Sequence, residues 1–450
     1  MAVSMFSPPR VDRSADAWET RSLRSLLTPR SERDRPDLPL LTVARERGVF
    51  VRSDEDANHN AIPDDLGNYK VARSGDLVIN KMKAWQGSLG LAPVDGIVSP
   101  AYFVFEADFD VPRFGEYLLR SKPYVAKFGA ASDGVRIGQW DLDISRMRNI
   151  EVSLPQADEQ AAIAKYLAHA NARINKAIAA KRRLIALLEE QKRVEVSTLI
   201  SSGDVNTGDR WFPVVRNGWS VVPLGRVLHR AVDGPHFSPT YSDSGVPFLS
   251  ARNIRPGAWS FDDLKYVDEG LAAEFDRRVR PEKGDVLYTK GGTTGVAKAV
   301  DLEERFQVWV HIAVLKLIRD LVSPEFLEIV LNSPACYEQS QLETRGATNQ
   351  DLGLGRMKRI SIPLAPPEAQ ASFVRQARIA AQKINSVTQK TRREIELLQE
   401  FRTRLVADVV TGQVDVRAIA VTLPDAPESF DNTVSAIDDV LEEALSEGED

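Results

Sequence analysis

Apolar residues recur at alternating four- and three-residue intervals along two long stretches of this chain. In "EQAAIAKYLAHANARINKAIAAKRRLIALLEEQKR" (159–193) the seam is Ile163, Leu167, Ala170, Ile174, Ala177, Lys181, Leu184 and Leu188. In "AQASFVRQARIAAQKINSVTQKTRREIELLQEFRTR" (369–404) it is Phe373, Ala377, Ala380, Ile384, Val387, Thr391, Glu394, Leu398, Phe401 and Leu405. That spacing places one stripe on a helix. Helices of about 40 residues are roughly 60 Å long, and an isolated one leaves its stripe in water. The economical arrangement is that the two pair with each other, antiparallel, with a globular domain at each end. Lys181, Thr391 and Glu394 interrupt the seams at nearly the same level, and either fix the helix register or face a partner. Prolines and acids in "SLPQADEQ" and "PLAPPEAQ" mark the helix starts, and Gly203 and Gly412 are placed to cap the ends.

The two stretches are copies. An offset of 210 residues aligns Asp141-Leu142 with Asp351-Leu352, Arg146-Met147 with Arg356-Met357, Gln160 with Gln370, Ile174-Asn175 with Ile384-Asn385, and Leu187-Leu188 with Leu397-Leu398. "SGDLVINK" (74–81) repeats as "KGDVLYTK" (283–290), and "AWETRSLRSLL" (17–27) as "GWSVVPLGRVL" (218–228). Two copies at so long a period are a duplicated domain-plus-helix unit, not a solenoid. The globular segments alternate β-branched and aromatic runs with Gly, Pro and Asp: "YKVARSGDLVIN", "GIVSPAYFVFEA", "KGDVLYTK" and "FQVWVHIAVLKLI" predict strands. "PRFGEYLLRSKPYVAKF" and "SPEFLEIVLNSPACYEQSQL" predict short helices. The fold class expected is α+β: two mixed α/β domains separated by two long helices that form an antiparallel coiled coil. The expected segments are 1–153, helix 154–203, 204–363, helix 364–413 and a tail 414–450.

Charge adds one point. The net charge of −6 hides an acidic end: Asp425 to Asp450 holds ten acids and no base, which leaves 58 basic against 54 acidic residues in the rest. A chain with a net-positive body can carry a basic face for a polyanion, while the tail reads as a solubilising segment, partly disordered. With no run of eighteen apolar residues and no signal-peptide layout, a soluble cytoplasmic protein without membrane contact is expected. The single cysteine, Cys336, builds neither a disulfide framework nor a thiolate metal site.

Catalytic motifs are missing. "KGGTTGVAK" (290–298) fails the phosphate-loop spacing, and no glycine-rich cofactor turn with an Asn-Pro-Pro or Asp-Pro-Pro loop marks a methyltransferase. The histidines His59, His169, His229, His236 and His311 have no metal-ligand spacing. His236, in "DGPHFSP", either closes its turn or touches a base or phosphate, and His311 belongs to the core or edge of a strand. Asp285 and Lys290 are only part of a nuclease set, so no catalytic residue and no metal site is assigned. The polar loops are better candidates for DNA contact. They offer Lys81, Lys83, Trp85 and Gln86 in "NKMKAWQGSLG", and Arg136, Gln139 and Trp140 in "SDGVRIGQWD". The second copy offers His236, Arg252, Asn253, Lys290, Thr293, Thr294, Arg345, Asn349 and Gln350. Lys and Arg suit guanine edges and phosphates, and Asn and Gln suit adenine. The loops recur at equivalent places in both copies yet differ in sequence, as two readers of different text would.

The segments "IEVSLPQADEQAAIAKYL", "GWSVVPLGRVL", "DGPHFSPTYSDSGVPFLSARNI" and "ISIPLAPPEAQ…LLQEFRTRLVADVVTGQVDV" resemble the specificity (S) subunit of type I restriction–modification systems, the HsdS family. The resemblance spans about residues 17 to 416; the first copy departs more from the pattern and has no "DGPH" counterpart. It implies a non-catalytic subunit whose two target-recognition domains read a bipartite, asymmetric site on double-stranded DNA, with the helix pair setting the half-site separation. It further implies two modification (methyltransferase) subunits docked on the helices, and restriction (translocase/nuclease) subunits joining outside them. No cofactor is expected in this chain; S-adenosylmethionine, ATP and Mg are expected on the partners. A coiled-coil scaffold without DNA affinity is the alternative.

Overall fold

A computed structural model describes residues 18–45, 47–52, 66–136, 139–346 and 351–427. The chain divides into two compact units that do not follow chain order: residues 1–183 with 391–450, and residues 184–390.

In the first unit, β1 (Glu19–Ser22) is the first strand among the described residues, and β2 (Leu27–Pro29), β3 (Leu77–Asn80), β4 (Leu89–Leu91) and β5 (Tyr102–Ala107) form a four-stranded antiparallel sheet in the order β2-β5-β3-β4. Helices α1 (Pro112–Arg120) and α2 (Lys122–Ala130) follow, then a hairpin of β6 (Ser132–Arg136) and β7 (Gln139–Leu142). Strand β8 (Glu151–Leu154) returns to pair with β1, Glu19 opposite Leu154, and leads into the long helix α3 (Ala157–Ser201).

The second unit repeats this plan. Strand β9 (Ser220–Pro223) is the counterpart of β1, and β10 (Leu228–Asp233), β11 (Val286–Thr289), β12 (Ala297–Ala299) and β13 (Ile312–Leu317) form a sheet in the equivalent order β10-β13-β11-β12. Helices α4 (Pro324–Leu331) and α5 (Pro334–Glu343) precede β14 (Ser361–Leu364), which pairs with β9 and feeds the long helix α6 (Pro367–Val410). A short helix α7 (Arg417–Thr422) comes after it. One departure is local to this copy: "FQVWVHIAVLKLI" is broken, with a short strand Gln307–Val308 and a turn at His311 before β13. His311 is therefore a turn residue, not the strand residue expected. Its ring stacks edge-on against Trp309 at 4.8 Å.

The repeat extends to single hydrogen bonds. Asp76 accepts the Arg73 N–H at 2.8 Å and Asp285 the Glu282 N–H at 2.8 Å, each closing the Gly-Asp turn before the central strand. A cation from elsewhere in the same sheet then neutralises each carboxylate: Arg30, just past β2, on Asp76, and Lys316, on β13, on Asp285. Gln160, buried, donates to the Pro155 carbonyl and accepts the Val111 N–H; Gln370 does the same with Ala365 and Ser323. Both accepted N–H groups belong to the residue preceding a helix, α1 or α4, where donors lack intrahelical partners. The Gln of each "EQ" or "AQ" thus ties a long helix to its own domain.

The long helices pair antiparallel within each unit. In the first unit Lys181 bridges to Glu394 at 2.5 Å and Arg402 donates to Asn175 at 3.2 Å. In the second unit Lys192 donates to Asn385 at 2.9 Å. The two charged breaks in the seams are thus each other's partner across the pair. The strict heptad is not kept: Leu184 and Val387 are exposed, and Ile178, Thr388 and Thr391 are the buried positions at these levels. Ile163, Leu167, Ile174, Phe373, Ile384 and Leu405 are buried, with Leu188, Leu398 and Phe401 half-buried. A helix at 3.6 residues per turn drifts about 20° per heptad from a 3.5-residue stripe, which moves the contact from 177 to 178 and from 387 to 388.

The cores show what ties each helix end. In the first unit Leu23, Phe105, Phe114, Phe128, Ile163 and Leu167 pack with Val409, Val410, Val416 and Ala420 from the far end of the chain. In the second, Leu224, Tyr288, Phe326, Ile362 and Phe373 pack with Ile200, Phe212 and Val215. Gly412 closes α6 in the left-handed region at φ +74°, its N–H on the Val409 carbonyl. Gly203 is not such a cap. A Cβ there would lie 2.4 Å from the Arg216 Cα, so its glycine serves close chain approach.

Candidate nucleic-acid interface

In the first unit the candidate residues gather where β3 ends. The Asn80 side chain accepts the Met82 N–H, a 3-10 turn covers Ala84–Gln86, and Gly87 at φ +88° closes it. The turn lifts Trp85, whose indole N–H donates to the Met82 carbonyl and whose ring meets Trp140 at 5.1 Å and 53°. Lys83 is exposed and Gln86 half-buried on the same turn. Lys81 reaches across to Asp141 on β7 at 2.8 Å, and the Leu142 N–H donates to the Lys81 carbonyl at 2.9 Å. Lys81, Lys83, Trp85, Gln86 and Trp140 are thus one cluster. Arg136 and Gln139 face each other as the last pair of the β6–β7 hairpin; their side chains lie outside the described residues.

In the second unit the equivalent place is built around charge. Asp233, at the end of β10 and 4% exposed, receives the Arg278 guanidinium, His236 at 3.1 Å and Lys290 at 3.4 Å. Burial pushes this carboxyl up, but the Arg278, His236 and Lys290 partners outweigh it and hold it below the usual carboxylate range. Lys290, 5% exposed, also pairs with Asp351 at 2.7 Å, and its backbone carbonyl accepts the Leu352 N–H at 2.8 Å. Gly234 permits this packing: a Cβ there would sit 2.0 Å from the Val308 carbonyl oxygen. Burial and then the charge of Lys290 hold His311 below the usual histidine value.

The remaining candidates separate by burial. His236, Arg252, Thr293 and Arg345 are exposed. Asn253 is turned inward and caps its own 3-10 turn, accepting the Ser250 N–H at 2.8 Å and donating to the Ser260 carbonyl at 2.9 Å. Thr294 is buried, its hydroxyl accepting from Gln341 and Thr344. Both hold loops in shape, and neither presents a polar edge to a duplex. Asn349 and Gln350 lie outside the described residues. Asp285 and Lys290 do not converge, since each has its own opposite partner, and no group of His, Cys, Asp and Glu among the described residues is placed to hold a metal ion. Sequence reasoning passed over Asp141, Asp233 and Asp351. The repeat does carry a signal for two of them, because Asp141 and Asp351 align at the same offset as the helices.

No family model matches the chain. Among solved structures, a chain from a study of complex assembly and conformational transition of the type I R-M system aligns with a TM-score of 0.57 at 17% identity, over 91% of this chain and 100% of that one. This chain has that fold. The likeness agrees with the resemblance seen in the sequence, which also pointed to type I restriction–modification systems. Two further type I structures align with lower scores. The HsdS subunit from Thermoanaerobacter tengcongensis has a TM-score of 0.41 at 18% identity, over 88% of this chain and 97% of its own. The S subunit from M. genitalium has 0.36 at 14%, over 90% and 99%. Among the described residues no helix is long and apolar enough to cross a membrane.

Proposed function

We propose that this chain is the DNA-specificity subunit of a type I restriction–modification complex and is itself non-catalytic. Each unit reads one half of a bipartite, asymmetric site on double-stranded DNA, and the length of the helical pair sets the spacing of the halves. The observation that carries this reading is one scaffold built twice with different reading loops: a tryptophan pair beside Lys83 in one, and in the other His236 on a buried charge network together with exposed Arg252 and Thr293. Aromatic and basic groups at a loop cluster suit base stacking, phosphate contact and groove readout. Two modification subunits bind the long helices and supply S-adenosylmethionine chemistry; restriction subunits using ATP and Mg join them.

The test is co-expression with the cognate modification subunit followed by methylome sequencing. A bipartite methylated motif is expected. Exchange of residues 1–153 for the equivalent segment of another such protein should replace one half of the motif and leave the other. An unchanged motif removes the half-site assignment, and a chain without salt-dependent DNA binding favours a plain scaffold.

A further inference from the structure

Lys81 and Lys290 make the same two contacts in units whose reading loops otherwise differ. Each directly follows an inner strand of its four-stranded sheet, β3 or β11. Each accepts on its backbone carbonyl the N–H of a leucine, Leu142 at 2.9 Å or Leu352 at 2.8 Å. Each sends its ammonium to the preceding aspartate, Asp141 at 2.8 Å or Asp351 at 2.7 Å. The aspartate in turn stands at the neck of a doubled-back segment. Asp141 is opposite Asp133 in the β6–β7 hairpin, and Asp351 exchanges both backbone hydrogen bonds with Arg345, at 3.1 and 2.9 Å.

We infer that these are two copies of one clasp, which fastens the neck of a recognition segment to the sheet, and that both lysines are positioning residues, not phosphate contacts. The inference rests on the DNA-recognition reading above. A polar segment anchored only at its own neck would swing; tied through a backbone bond and a charged bond to a central strand, its ends are fixed before any ligand arrives, which lowers the cost of ordering on binding. The electrostatics agree. Each ammonium already faces a carboxylate, and Lys290 faces a second one in Asp233 and is nearly inaccessible, so little charge remains for a phosphate. Several other charged groups around the clasps are also paired. Arg146 meets Asp133 at 2.8 Å, Arg278 and His236 meet Asp233, and Arg356 donates to the Asp351 carbonyl at 2.8 Å. Two readers of different text have reason to differ at every base-contacting position. A feature identical in both belongs to what they share, namely the mounting.

The test uses the full-length chain as wild type, Lys81→Met, Lys290→Met, and the charge exchange Lys81→Asp with Asp141→Lys. Lys81 lies in the more exposed clasp, so its variants keep the test open if Lys290→Met fails to fold. Hydrogen exchange without DNA is followed on peptides covering 131–142 and 344–352. The expected result is faster exchange in the altered unit alone, with protection recovered in the charge exchange. Binding is then measured across NaCl concentrations on a duplex that the wild type enriches from a randomised double-stranded library. The expected result is a loss of about tenfold or more on that duplex with an unchanged slope of log affinity against log salt; a lysine on phosphate instead lowers the slope by about one and weakens scrambled duplexes equally. A slope lowered by about one, or unchanged hydrogen exchange in both Lys→Met variants, overturns the inference. If the wild type enriches no duplex, the DNA reading fails, and the hydrogen-exchange arm alone decides whether the clasp exists.

Discussion

Asp233 is a buried carboxylate with an arginine, a histidine and a lysine turned onto it. Its carboxyl is held below the ordinary value, so its stabilisation is complete above the unfolded-state pKa of about 3.9 and is lost as pH falls through the lower folded value. Asp233→Asn should therefore cost on the order of 2–4 kcal/mol near neutrality by leaving Arg278 without its carboxylate and Lys290 with Asp351 alone. Urea titrations should show the gap to wild type narrowing below about pH 4. Cys336 makes an independent check on the second core. Burial pushes its thiol up to about 12, so a thiol reagent at about pH 8 should leave it unmodified until denaturant is added. Asn253 shows where residue-level inference from sequence stops. An asparagine beside an arginine in a polar loop has the chemistry of an adenine reader, yet its partners, Ser250 and Ser260, take it inward. The roles of Lys81 and Lys290 were hidden for a related reason: each carboxylate that pairs with them lies about sixty residues away along the chain, and spacing within a loop carries no trace of it.

At the level of elements, most of the architecture was legible. The four-three periodicity, the 210-residue offset and the short α1–α2 and α4–α5 helices all come from local pattern, and local pattern is what periodicity reports. The seam in the middle of the helices was not, because a 3.5-residue template and a 3.6-residue helix diverge over six turns. That divergence is measurable. Ile178→Ala should cost about 2–4 kcal/mol and Leu184→Ala under about 1 kcal/mol, though a strict heptad puts Leu184 in the seam and Ile178 outside it. Thr388, buried in the seam, has a hydroxyl that finds no hydrogen-bond partner among the described residues. Thr388→Val should be neutral or stabilise by up to about 1 kcal/mol in thermal melts. A clear destabilisation would show that the hydroxyl has a partner in solution.

For the whole molecule, the helices carry the prediction that separates geometry from chemistry. Inserting a heptad at matching levels of α3 and α6 should change the spacing between the halves of the methylated motif and leave both half-sequences as they were; a change in either half would mean that the helices take part in base readout. The division of the cores has a different consequence, in the order of synthesis. The second core is assembled from Ile200 to Val374, so it is complete before the segment 409–420 is made. The first core begins at Leu23 and is closed by Val409, Val414, Val416 and Ala420. The residues from Leu23 onward are therefore made well before the 409–420 segment that completes their core. Release at Arg404 should yield a chain in which the second unit resists limited proteolysis and the first is cut. The unit that begins at Leu23 is then the part of a nascent chain expected to need a chaperone.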